Sequence, residues 1–339
     1  MNTQNLALQD RVGELFVTSF HTPVPDNEFL RWVESFRPSG VVVFAEHCVD
    51  HATLAASLGA LRAQVEFPLL TAIDQEGGRV CRLRGTPAEY ASAAVYGSRM
   101  DGLTGFQHDL GAAVRYMREL GLNWLLGPVC DLSAPASETA LLGRTFSADP
   151  ESVAAFVTAA VHTAHAAGML TCLKHAPGLG HAVGDPHYKM AMTSATVDDI
   201  VTRERAPFRA GVDAGADAIM TSHFLIRDCG DTPITFSPDI IRSLVRLSGA
   251  EELPIVTDDL SMGALAAYGD PGEIVVRAFQ AGHDILLARD PKIARLGAGA
   301  LLKALAKGTL SEDRIAAALA RVTILRERAR SIASATANA

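Results

Sequence analysis

The chain reads as a single (β/α)8 barrel with one extra C-terminal helix, and three observations carry that expectation. Eight short apolar runs, each ending in a polar or charged residue, alternate with segments of helical periodicity. The first run is followed by SFHTPVP, not by the glycine-rich phosphate turn usual after the first strand of a doubly wound open sheet. Titratable residues crowd the ends of the runs, where a barrel carries its active site, while the starts hold Pro68, Gly121, Gly168 and Pro254.

The expected strands are 15–20, 40–46, 69–74, 123–129, 170–175, 218–223, 255–259 and 285–289. Helical periodicity marks 27–36, 52–65, 103–120, 150–167, 197–214, 238–247 and 272–281 between them. Residues 310–333 form one further helix: Ser311 is a good N-cap with acids just inside it, and Ala317, Leu319, Val322 and Leu325 make an apolar stripe. That helix is expected on the outside of the barrel, followed by a frayed tail over 334–339. No low-complexity linker or shift of composition divides residues 1–339, so one domain is expected.

Composition narrows the function classes. A chain of 339 residues, 48% of them hydrophobic, buries a large core, and a formal net charge of −8 argues against nucleic acid or an anionic membrane as partner. There is no window of about 18 uninterrupted apolar residues to span a bilayer. The N-terminus, MNTQNLALQDRVGELF, lacks the basic and apolar regions of a signal peptide. The five cysteines show no CxxC spacing and read as reduced. A cytoplasmic protein, monomer or weak homodimer, is expected.

The chemistry centres on KHAPGLGHAVGDPH, residues 174–187. Glycine and proline make this an irregular loop leaving a strand, and its three histidines, aspartate and lysine suit function more than stability. Glu46, His47, Asp131 and His223 stand at other strand ends. Asp74 ends the third run in IDQEGGRVCRLRG, where Gly77 and Gly78 allow a tight turn that returns Arg79 and Arg82 toward a pocket. In IVTDDLSMG, strand alternation sends only one of Asp258 and Asp259 inward.

Lys174-His175-x-Pro177-Gly178-x-Gly180 followed by Asp185-x-His187 closely resembles the KHFPGHG…DSH signature of family 3 β-N-acetylhexosaminidases. DQEGGRV at 74–80, GRTFSADP at 143–150 and TDDLSMGA at 257–264 resemble the family's other blocks, in its order and at compatible spacing. The resemblance covers most of the chain from about Gly40 to Leu287 and points to bacterial single-domain enzymes of cell-wall recycling. It implies retaining, two-step removal of non-reducing N-acetylglucosamine from muropeptides carrying 1,6-anhydro-N-acetylmuramic acid. Asp258 would be the nucleophile, His187 the general acid/base and Asp185 its orienting partner. Asp74, Arg82, Arg144, Lys174 and His175 would hold the sugar, with no metal or organic cofactor. These roles suit a carboxylate nucleophile and a histidine that shuttles a proton near neutral pH, on a loop that moves.

Three positions depart from the pattern: Ala176 replaces an aromatic, Leu179 a histidine and Pro186 a serine. Pro186 fixes φ beside the dyad and removes a donor, while His181 is placed to substitute for the lost histidine. Other readings are a β-glucosidase, a phosphorylase exploiting an uncharged acid/base, and a sugar-binding protein that has lost catalysis. A zinc hydrolase using His175, His181, His187, His223 and Asp258 lacks the H-x-H pair of its first strand, where only His21 occurs, and any H-E-x-x-H helix.

Overall fold

The computed structural model describes residues 7–134, 140–180, 182–186, 190–250 and 252–337. The strands are β1 (Phe16–Thr18), β2 (Gly40–Val43), β3 (Leu70–Ile73), β4 (Trp124–Leu125), β5 (Leu170–Ala176), β6 (Ala191–Thr193), β7 (Ala218–Thr221), β8 (Phe224–Ile226), β9 (Ile255–Val256) and β10 (Leu286–Ala288). Eight of them form one parallel sheet in the order β10-β1-β2-β3-β4-β5-β7-β9, and a parallel bridge from Val256 to Ile285 brings its two edges together. The barrel is therefore nearly closed, and each of its strands falls within one of the eight expected runs except β5, which runs one residue past its own to Ala176. The additional pair, β6 with β8, lies outside it.

Alternation along the strands builds two apolar layers. Val17, Val42, Leu70, Trp124, Cys172 and Met220 fill the interior, while Phe16, Val41, Ile73, Leu125 and Leu173 face the helices. Those helices are α1 (Asn27–Phe36), α2 (His51–Arg62), α3 (Ala93–Gly97), α4 (Gly102–Glu119), α5 (Pro150–Ala166), α6 (Val197–Asp213), α7 (Pro238–Ser248), α8 (Pro271–Ala281), α9 (Pro291–Ala306) and α10 (Glu312–Ala337). The periodicity did not predict α9, although Asp290 caps it and Pro291 opens it. Its Gly297 permits close approach to α8, since a Cβ there would lie 2.6 Å from Val275.

The C-terminal helix departs from expectation in place and in length. Val322, Leu325 and Ala329 join the cluster that fills the barrel interior, so α10 closes the floor of the barrel rather than lying along its outside. Acids at the strand starts hold it there: Arg328 reaches Asp217 before β7 at 2.5 Å, and Arg314 reaches Asp284 before β10 at 3.1 Å. Arg326 pairs with the buried Glu14 at 2.7 Å. The helix continues through Ala337 where a frayed tail was expected, because no glycine or proline interrupts SIASATA.

Candidate active site

Barrel parity delivers most of the site. Leu70 and Ala72 face inward, so Asp74, two residues on, stands at the mouth; likewise Cys172 sends Lys174 there, Val256 sends Asp258 and Leu287 sends Arg289. These side chains line a cavity of about 520 Å3 at the C-terminal ends of the strands. Arg82, Arg144, His175, Asp185, Pro186 and Leu179 complete its wall. Seven of the eight residues expected at the site thus surround one cavity: Asp74, Arg82, Arg144, Lys174, His175, Asp185 and Asp258. The eighth, His187, lies outside the described residues, as does His181.

The turn that carries Arg82 depends on glycine. Gly77 has φ +78°, and a Cβ on it would meet Ala91 O at 2.1 Å; Gly78 has φ +54° and rests on Ser92. Between this turn and the mouth lies a buried ionic lattice. Lys174 Nζ is 2.6 Å from Asp74 Oδ1 and 2.6 Å from Glu76 Oε1. Arg144 grips Glu76 with two hydrogen bonds, of 2.7 and 2.9 Å, and Arg82 stands 3.7 Å from Asp74. Burial opposes the charge of Glu76, but Arg144 and Lys174 outweigh it and hold this carboxyl far below its ordinary range. Asp74 is lowered in the same way, with Lys174 and then Arg82 overcoming the cost of burial. Burial would depress Lys174, yet its two carboxylates keep it above the ordinary lysine value.

The sequence places Glu76 and Asp131 at strand ends, among the polar groups of one pocket, but assigns neither a role in the site. Glu76 shares the parity of Asp74, which was the available signal. Asp131 is fully buried and accepts from His175 Nδ1 at 2.6 Å, from His175 N at 3.2 Å and from Leu179 N at 2.6 Å. It thereby fixes both the imidazole and the turn that follows β5. The other imidazole nitrogen faces Arg144 Nη2 at 3.2 Å. The peptide bonds Lys174–His175 and Ala176–Pro177 are both cis.

Asp258 and Asp259 divide as alternation demands. Asp259 Oδ1 accepts from Ser261 N at 2.9 Å and Arg289 N at 3.0 Å, tying down the turn after β9. The Asp258 side chain makes one hydrogen bond among the described residues, accepting from Asp259 N at 2.8 Å, and no ion pair. Its carboxylate faces the cavity with no cation among the described residues in ion-pair contact. His223 is engaged with Thr235 at 2.7 Å and with Asp259 O at 3.1 Å, beneath that turn. His47 is a packing residue, held by Phe20 O at 2.8 Å and Phe44 N at 2.8 Å.

The loop bearing Asp185 is fastened at its base. Val183 and Met192 exchange hydrogen bonds of 2.8 and 3.1 Å, and Ala264 N donates to Pro186 O at 3.3 Å. Parallel pairing of β6 with β8 holds the returning strand. Leu179 packs into a small apolar cluster with Ala182, Ile200 and Phe224, which accounts for a leucine at that position.

Comparison with known proteins gives this arrangement a family. The description "Glycosyl hydrolase family 3 N terminal domain" matches residues 7–325. A beta-hexosaminidase of Stenotrophomonas maltophilia is 31% identical over 299 residues, 83% of this chain and 88% of the relative. One from Xylella fastidiosa is 31% identical over 302 residues, with the same coverage of 83% and 88%. Among solved structures, a family 3 beta-N-acetylglucosaminidase from Paenibacillus superposes with a TM-score of 0.90 at 27% identity, over 96% of this chain. This chain spans 63% of that longer one. A beta-N-acetylhexosaminidase from Beutenbergia cavernae superposes with a TM-score of 0.83 at 29% identity, covering 98% of this chain and 99% of its own. The chain belongs to glycoside hydrolase family 3, a glycosidase similar within it to the beta-hexosaminidases.

Proposed function

We propose that this glycosidase is a retaining exo-β-N-acetylglucosaminidase. The observation that supports it most directly is Asp258, a carboxylate with no ion pair among the described residues, facing a cavity in which Asp74 and Glu76 are paired with Lys174, Arg82 and Arg144. In this reading Asp74, Arg82, Arg144, Lys174 and His175 bind the hydroxyls of a terminal N-acetylglucosamine. His187, oriented by Asp185, gives its proton to the glycosidic oxygen as the C1–O bond breaks and an Asp258 oxygen bonds to C1. The neutral imidazole then takes a proton from water, whose oxygen attacks C1 and releases Asp258. Atoms balance as one water consumed and two sugars released, with configuration at C1 kept. No cofactor is required by these steps. The substrate proposed is the β-1,4-linked N-acetylglucosamine of muropeptides ending in 1,6-anhydro-N-acetylmuramic acid, met in the cytoplasm during peptidoglycan recycling.

The test is hydrolysis of p-nitrophenyl N-acetyl-β-D-glucosaminide and of the corresponding glucoside by wild type, Asp258→Ala and His187→Ala. Preferential cleavage of the first by wild type is expected, with about a 10³-fold loss or more in Asp258→Ala and about 10²-fold or more in His187→Ala. Equal cleavage of the glucoside would replace the proposal with a β-glucosidase. Turnover that depends on phosphate would make the enzyme a phosphorylase, and binding without turnover would make it a sugar-binding protein.

A further inference from the structure

Glu204, on α6, is 1% exposed and lies against the turn that follows β5. A Cβ on Gly178 would lie 2.3 Å from Glu204 Cγ, and one on Gly180 would lie 3.6 Å from Oε1, so the PGLG backbone rests on this side chain. Its Oε2 accepts from Leu132 N at 3.1 Å, while Oε1 is buried with no hydrogen-bond partner among the described residues. The ionisable groups that face it are Asp131 and Cys130, from the segment after β4, and Arg203 on α6 itself. Arg203 gives only weak compensation, with Nε 3.7 Å from Oε1 and Nη2 donating to Ser133 O at 3.2 Å. The same turn is held from its other side by Asp131, through Leu179 N at 2.6 Å. Ala182 N then bonds Leu179 O at 2.9 Å, and the Val183–Met192 pair leads directly into Asp185.

We propose that Glu204 is a positioning residue for the catalytic loop: an uncharged acid on which the 178–180 turn rests, and whose ionisation displaces that turn and with it Asp185. An ionised Glu204 would leave Oε1 buried and charged beside Asp131, with no hydrogen-bond donor among the described residues and Arg203 Nε only at 3.7 Å, a state relieved by lifting the turn to admit water. Burial, and next the charge of Asp131, push the Glu204 carboxyl up to about 8, so the protonated form prevails at neutral pH. The inference rests on the reading of Asp185 and His187 as the acid/base pair.

The experiment compares wild type, Glu204→Gln, Glu204→Leu and Asp185→Asn on two β-N-acetylglucosaminides, one with a dinitrophenyl leaving group and one with a sugar. The amide imitates the neutral acid, so Glu204→Gln should stay within about threefold of wild type near pH 7 and outlast it in alkali. Its kcat/KM relative to wild type should rise to about tenfold by about pH 9, because one titrating proton is removed from the profile. Glu204→Leu should lose about tenfold or more on the sugar leaving group and markedly less on dinitrophenol, which needs little protonation to depart. A Gln-to-wild-type ratio that stays flat with pH, or equal losses on both substrates in the leucine variant, overturns the proposal. Should the leucine variant fail to fold, the pH ratio decides alone. Asp185→Asn separates the two readings. If it shows the leaving-group dependence and the Glu204 variants do not, only the positioning role falls; if it shows none, the acid/base assignment falls.

Discussion

Replacing Glu76 by glutamine tests the ionic lattice directly. The side chain is 6% exposed and touches two cations, Lys174 at 2.6 Å and Arg144 through a two-point contact of 2.7 and 2.9 Å. Breaking a buried pair from one side costs about 3–5 kcal/mol, because a desolvated charge is left without its partner. Lys174 keeps Asp74, so most of the cost falls on Arg144, and about 3 kcal/mol is the expected loss. With an unfolding entropy near 2.1 cal/mol/K per residue over 339 residues, that corresponds to a midpoint lower by about 4 °C. The assay is thermal unfolding of wild type, Glu76→Gln, Arg144→Gln and the double variant, which close a mutant cycle. If the pair is the unit that matters, the double variant loses less than the sum of the singles, with a coupling of about 2 kcal/mol or more. Additive losses, or a Glu76→Gln variant as stable as wild type, would refute the reasoning.

Two further perturbations follow from the same physics. The carboxyls of Glu76, Asp74 and Glu14 are held below their ordinary values by cations that overcome burial, so their contribution is present above pH 4.5. It is lost as pH falls through the depressed folded values; Glu76→Gln should therefore show a shallower acid loss of stability below pH 4.5 than wild type in denaturant titrations, and an identical slope would count against it. On the barrel floor, Leu325 is 2% exposed within the interior cluster, so Leu325→Ala should cost about 2–5 kcal/mol with KM little changed. A loss within about 0.5 kcal/mol would mean that α10 does not close the floor.

The barrel was legible because parallel strands covered on both faces are written as unbroken apolar runs, and runs such as GVVV in β2 have few other readings. What stayed hidden depended on partners rather than pattern. The stripe of α10 announces a buried face, but an amphipathic period does not say whether that face meets a helix layer or the end of a barrel. Helix α9 was missed because GAGALLKALA offers little polar contrast and two glycines, one of which exists to let Val275 approach. Arg144 and Glu76 are 68 residues apart, and nothing local to either block pairs them. Glu204 did leave a trace: with Ile200, Phe208 and Gly211 it occupies the buried face of α6, an acid where the period calls for an apolar residue.

The charge arrangement bears on how the proposed mechanism divides its work. Asp74 and Glu76 are paired with Lys174, Arg144 and Arg82 within one wall, so a sugar can exchange hydrogen bonds with groups that already hold one another in place. Asp258 stands outside that lattice and keeps its field for the anomeric carbon. A unit positive charge developing about 4 Å away is worth about 4 kcal/mol at an effective dielectric constant near 20, and a cation paired to Asp258 would cancel much of it. Proton transfer has the opposite need, since one group must give a proton in the first step and take one in the second. Asp185 stands on a loop tied at Val183 and Met192, apart from the ionic wall and from Asp258, so in the proposed mechanism the acid/base pair can adjust between the two steps while those parts stay fixed.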